Sequence, residues 1–150
     1  GMNPFGWRFM GALAGSLLSA LFYILARTLF NQKAAVMSTF LFNFDFMHLT
    51  TSRIGTLEPF SLFFILLMNI FMVFYAKDET HEKRWLALSG ISMGLAWSTK
   101  WTGLYSSIGL AIVFFIAFFT KWAKKEDKPR YMISTGLWCV LWFVIIKVII

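Results

Sequence analysis

Residues 59–76 read Pro59-Phe60-Ser61-Leu62-Phe63-Phe64-Ile65-Leu66-Leu67-Met68-Asn69-Ile70-Phe71-Met72-Val73-Phe74-Tyr75-Ala76, an uncharged run closed by Glu58 before it and Lys77 after it. At 1.5 Å per residue, a helix of that length covers about 27 Å, close to the hydrocarbon thickness of a bilayer. This stretch decides the fold class: it is a membrane-crossing helix. The rest of the chain agrees. Of 150 residues, 59% are hydrophobic and 14% charged, and the mean hydropathy is +0.69. A soluble domain of this size rarely carries so many apolar residues.

Outward from that stretch, further apolar runs occupy residues 9–26, 34–50, 85–99, 101–120 and 131–150. Those at 9–26 and 101–120 are also clear spans. The run at 34–50 is interrupted by Asp45 and His48, and that at 85–99 is short. The last contains Lys147 and reaches Ile150 without a polar end. Residues 85–120 could be read as one helix, but it would be about 54 Å long, too long for one bilayer. A hairpin turning near Lys100-Trp101-Thr102-Gly103 fits better. Within 85–99, Gly90, Ser92, Gly94, Ala96 and Ser98 recur at alternate positions and cannot all share one helix face. Gly90 and Gly94 do share one and permit close helix packing. The expectation is an all-α, polytopic membrane helix bundle, with residues 1–150 as a single transmembrane region of about six membrane segments. The first residues lack a basic n-region and a small-residue cleavage site, so a signal peptide is not expected there. Both ends look cut, so a piece of a longer membrane protein is expected.

The charges are clustered. Arg27, Lys33, Lys77, Lys83, Arg84, Lys121, Lys124, Lys125, Lys128 and Arg130 lie in three polar breaks that fall on one side if the chain crosses at every run. The other side receives Arg8, Arg53 and Lys100. The positive-inside rule places the larger group in the cytoplasm. This explains the net charge of +7 without nucleic acid, for which no basic stripe interleaved with aromatics is present. The basic stretch Lys121–Arg130 reads as a topology determinant in contact with anionic lipid heads. The single cysteine, Cys139, excludes an internal disulfide framework or thiolate metal site.

Arg8, Arg53 and Lys100 are the candidate site residues. Cations at membrane depth are costly unless a partner offsets the cost, and three on the side opposite the basic loops suggest an anionic ligand. Arg8 either snorkels beside Trp7 or contacts phosphate, which a guanidinium binds as a planar fork. Asp45 and His48 are three apart and share a helical face. The carboxylate, set among Phe42, Phe44 and Phe46, calls for an ion pair with Arg53 or His48. Asp-x-x-His alone is a weak metal signal, and no metal or other cofactor is expected. Glu58, before Pro59, suits a helix N-terminus. Lys100 and Trp101 stand among Ser98, Thr99, Thr102, Ser106 and Ser107, a polar patch at the membrane edge. Asp45, His48, Glu58 and Trp101 are therefore expected to support the three cations.

Three stretches, in this order, carry a resemblance: Asn3-Pro4-Phe5-Gly6-Trp7-Arg8-Phe9; Thr51-Ser52-Arg53-Ile54, with Glu58 five residues after the arginine; and Ser98-Thr99-Lys100-Trp101-Thr102-Gly103-Leu104-Tyr105. Together they resemble the protein O-mannosyltransferases, the polyprenyl- or dolichyl-phosphate-mannose–protein mannosyltransferases, over nearly the whole chain. The first stretch looks more like the bacterial members. The resemblance implies part of a glycosyltransferase C-type fold in a bacterial plasma membrane, with the active site on the extracytoplasmic side. It implies inverting transfer of mannose from a polyprenyl- or dolichyl-phosphate donor to Ser or Thr hydroxyls of an acceptor protein. Arg8, Arg53 and Lys100 match family positions. Glu58 stands where the family usually has Asp. The family's proposed catalytic acidic residue belongs to an extracytoplasmic loop upstream, so the resemblance implies no catalytic residue in this stretch and no activity from it alone. Two other readings stay open from the residues: a related lipid-phosphate sugar transferase with a lipid or glycan acceptor, and a transporter or non-catalytic membrane subunit. A transporter would gather its polar residues at the midplane, whereas these lie at the membrane edge.

Overall fold

The computed structural model of the chain describes residues 4–54, 56–124, 128–141 and 143. Among the described residues seven helices follow in order: α1 (Pro4–Leu29), α2 (Gln32–Asn43), α3 (Phe46–Ile54), α4 (Glu58–Lys77), α5 (Glu82–Thr99), α6 (Thr102–Lys124) and α7 (Lys128–Val140). Among the described residues, three stretches are long and apolar enough to cross a membrane: Arg8–Leu29, Glu58–Lys77 and Thr102–Lys124. These are the three runs that read as clear spans. The expectations that fall on Gly1, Asn3, Lys125 and Lys147, and on the side chains of Pro4, Phe5, Trp7, His48 and Lys128, lie outside the described residues.

α1 opens at Pro4, a residue that suits a helix start because its missing N–H would be unpaired there anyway. Gly11, Ala14, Gly15 and Leu18 are all buried and recur at helical spacing. This narrow stripe lets neighbouring backbones approach closely. α1 packs against α2, α3 and α4.

The run at 34–50 departs from a single segment. α2 starts where the Asn31 side chain accepts the Ala34 N–H at 2.9 Å, and it ends at Asn43. A new helix begins after Phe44 and Asp45. At about 18 and 14 Å, neither piece crosses a bilayer by itself. The two succeed each other antiparallel to α1. Ser19 hydrogen-bonds Asn43, the rings of Phe22 and Phe42 stack at 4.5 Å, and α3 continues along α1.

The most extensive helix pairing is between α4 and α5. Asp78 shapes the turn between them. Its carboxylate accepts the Trp85 indole N–H at 2.9 Å and the Thr80 backbone N–H at 2.8 Å. These donors, Trp85 foremost, lower its pKa to about 2. α5 is buried on more than one side: Ser89, Gly90, Ser92, Met93, Gly94 and Ala96 are all enclosed. The Ser89 hydroxyl donates to the Met68 carbonyl of α4 at 3.0 Å. The core beside this pair is Met68, Met72, Tyr75, Leu86, Met93, Leu110 and Ala117. On α6, Ile108, Ile112, Phe115, Ile116 and Phe119 form an exposed stripe at helical spacing, suited to lipid.

The expected hairpin is present. α5 stops at Thr99, Lys100 is extended, and α6 resumes at Thr102. Gly103 allows the two helices to meet: a Cβ there would lie 2.8 Å from both the carbonyl carbon and the oxygen of Ala96. Both are backbone atoms and cannot rotate away. Gly103→Val is expected to force α5 and α6 apart and destabilise the protein by about 1–3 kcal/mol, the scale of overpacking a tight interior. Thermal unfolding in detergent checks this; a Tm equal to wild type would show that the hairpin has slack.

Candidate functional site

Of the predicted site residues, Arg8, Arg53, Glu58, Lys100 and Trp101 collect at one end of the bundle. α1 begins at this end, α3 finishes there, α4 begins there, and α5 turns into α6 there. Arg8 lies in the second turn of α1 and is exposed. Arg53 lies in the last turn of α3, also exposed. Beside it, Ser52 is buried, with its hydroxyl bonded to the Leu49 carbonyl at 3.0 Å. The short link to α4 is closed where the Thr56 hydroxyl donates to the Thr51 carbonyl at 3.1 Å.

Lys100 is not stranded. Its Nζ lies 2.8 Å from Glu58 Oε1, with the two side chains 42% and 44% exposed. Glu58 is the first residue of α4, followed by Pro59. It therefore stands at a helix N-terminus, where a carboxylate is favoured, and also holds the lysine of the next hairpin. One step inward, the hydroxyls of Ser61 and Thr102 are 3.2 Å apart. These two links join the start of α4 to the α5–α6 turn. An exposed pair of this kind contributes little to stability, so it can exchange partners. Trp101 extends outward at 78% exposure, leaving its ring available for a ligand or the membrane interface.

Asp45 belongs elsewhere. It lies between α2 and α3, and its Oδ1 accepts the Met47 N–H at 3.4 Å. The carboxylate thus caps the start of α3, where the helix dipole favours a negative charge. Among the described residues, no group of three or more His, Cys, Asp or Glu is arranged to hold a metal.

The opposite end carries a cluster that the sequence reading did not resolve. Lys121, counted there among the basic-loop residues, is enclosed. Its Nζ donates to the Asp78 carbonyl at 2.8 Å, lies 3.3 Å from Glu82 Oε1 and stands 4.7 Å from the Tyr75 ring centre. Lys77 reaches the Thr28 carbonyl and joins α4 to α1. A cavity of about 790 Å³ lies beside this cluster, well away from Lys100. The signal was available in principle: Glu82 and Lys121 flank consecutive helices, but nothing in their spacing marks them as partners.

The family model described as dolichyl-phosphate-mannose-protein mannosyltransferase matches residues 1–150. The polyprenol-phosphate-mannose–protein mannosyltransferase of Mycobacterium tuberculosis is 28% identical across 70% of this chain and 24% of its own length. Its counterpart in Corynebacterium glutamicum is 28% identical across 90% of this chain and 30% of its own. Dolichyl-phosphate-mannose–protein mannosyltransferase 4 of Candida albicans is 28% identical across 71% of this chain and 15% of its own. The chain thus spans less than a third of the length of these relatives. No solved structure matches it.

Proposed function

We propose, from the premise that this chain belongs to the dolichyl-phosphate-mannose-protein mannosyltransferase family, that it builds part of the donor site of a membrane mannosyltransferase. The donor is a polyprenyl-phosphate mannose and the acceptor a Ser or Thr hydroxyl of a protein. The acceptor oxygen forms a bond to the anomeric carbon with inversion, and the bond from that carbon to the phosphate oxygen breaks. The hydroxyl proton passes to a base outside the residues assigned here. Charge grows on the departing phosphate, so fixed cations beside it stabilise the transition state.

Arg8, Arg53 and Lys100 are the cations assigned to that phosphate. The observation that carries the reading is the Lys100–Glu58 pair. It holds an ammonium at the end of the bundle that also presents both arginines, in a contact weak enough to yield to phosphate. The same end faces the extracytoplasmic side of the plasma membrane in this reading, because Lys33, Lys83 and Arg84 lie at the other end and follow the positive-inside rule.

The test is mannosyl transfer by the purified full-length protein to a Ser/Thr peptide, with the donor titrated. Lys100→Ala is expected to lower kcat/KM for the donor about tenfold or more, the loss of a charge-assisted contact. Glu58→Gln should have a smaller effect, because the lysine keeps its charge. If Lys100→Ala turns over donor like wild type, Lys100 has no part in the donor site.

A further inference from the structure

We infer that the end of the bundle opposite Lys100 carries a binding site for an anionic glycerophospholipid, distinct from the donor site. The cavity of about 790 Å³ lies between the α4–α5 turn and the start of α7. Lys83, Arg84, Lys124 and Arg130 all line it, together with the hydroxyl-bearing Ser134 and Thr135. Deeper in, the hydroxyls of Tyr75 and Tyr131 are 3.3 Å apart. Two carboxylates, Glu79 and Glu82, also line the cavity, but Glu82 faces the ammonium of Lys121 at 3.3 Å. The lining therefore keeps an excess of cations. Two of them are guanidinium groups, which bind phosphate oxygens as forks.

Charge alone would fit any phosphate. A second cavity, of about 530 Å³, selects the lipid. It is lined by Arg130, Ile133, Ser134, Leu137 and Trp138, so it shares Arg130, Ser134 and Trp138 with the first. Residues 130, 133, 134 and 137 lie on one face of α7, and Ile133 and Leu137 are exposed on it. A polar, cationic chamber thus continues into an apolar groove along a helix. A free phosphate would use only the chamber. A molecule with an anionic head and a hydrocarbon tail uses both. The site also lies at the ends of α4 and α6, two of the helices long enough to cross a membrane, at the depth where lipid headgroups lie. Basic pockets at this level bind anionic headgroups.

Native mass spectrometry of the purified full-length protein, titrated with phosphatidylglycerol or phosphatidylcholine, tests the site. Phosphatidylglycerol is expected to remain bound and phosphatidylcholine to dissociate. The double variant Arg84→Gln, Arg130→Gln should weaken phosphatidylglycerol binding about tenfold or more through loss of both forks. The double variant Ile133→Asn, Leu137→Asn should weaken it as well, through the groove. Lys33→Gln, on the same side but outside the cavity, should bind like wild type. Equal retention of the two lipids would overturn the proposal, as would unchanged binding in the double arginine variant. Displacement of the lipid by inorganic phosphate at equal concentration would show a headgroup-only anion site and would also overturn it. If the arginine variant fails to fold, the groove variant and the comparison of lipids decide. Mannosyl transfer is not the readout, so the result stands apart from the donor-site reading.

Discussion

Arg8→Ala in the full-length protein is expected to lower mannosyl transfer about a hundredfold while leaving membrane insertion intact. Arg8 is exposed in the second turn of α1, at the same end as Glu58 and Lys100. Its removal should not disturb packing, because its side chain is exposed and, among the described residues, the buried stripe of α1 starts at Gly11. What is lost is a charge-assisted hydrogen bond to a phosphate whose charge grows in the transition state. The scale is that of one oxyanion-hole donor, about 2–4 kcal/mol. That range is roughly thirtyfold to a thousandfold in rate. Arg8→Lys should recover only part of the activity, because an ammonium cannot reproduce the planar fork. If Arg8 only snorkels at the membrane edge, both variants should be nearly silent and Lys should serve as well as Arg. Rates of the two variants with a polyprenyl-phosphate-mannose donor separate these cases. Wild-type activity in Arg8→Ala would remove this residue from the donor site.

The second large effect concerns stability. The Lys121 and Glu82 side chains are 6% and 13% exposed, unlike the open Lys100–Glu58 pair. Lys121→Met keeps the apolar stem and removes the charge. Glu82 then loses its cation in an enclosed place, the Asp78 carbonyl loses its donor, and the Tyr75 ring loses its ammonium. Breaking an enclosed pair from one side typically costs about 3–5 kcal/mol. The double variant Lys121→Met, Glu82→Gln should be less damaged than Lys121→Met alone, because the enclosed carboxylate charge is removed together with its ammonium. Unfolding of the four proteins of this cycle in detergent measures the coupling. If Lys121→Met unfolds like wild type, the pair contributes nothing and α6 is held by apolar packing.

The contrast between these two lysines shows what the sequence could and could not reveal. The spans at 9–26, 59–76 and 101–120 were legible because lipid imposes a length and forbids charge. The hairpin at 100–103 was legible for the same reason: one helix from 85 to 120 would overrun the bilayer. Lys100 is unusual in the sequence by its isolation, and Glu58 reads as a helix start that supports the three cations, but nothing local pairs two residues 42 positions apart. Lys121 sits in a basic stretch and reads like its neighbours; only folding encloses it. Asp45 was legible as a problem, a carboxylate among phenylalanines, but not as the start of a second helix. The motif with Arg8, Arg53 and Lys100 marked the family. The cavity at the opposite end arises from four separate segments, and no local pattern announces it.

α5 enters the world at a disadvantage that its position explains. It begins with Glu82, Lys83 and Arg84 and carries Ser89, Ser92, Ser98 and Thr99, and it is absent from the stretches able to cross a membrane by themselves. Its hydroxyls and glycines are nevertheless enclosed, with Ser89 bonded to the backbone of α4. Its packing against α4 therefore supplies the partners that its polar composition needs. α4, uncharged between Glu58 and Lys77, precedes it in the chain and offers it a protein surface. The packing unit of this region is thus a hairpin rather than a helix.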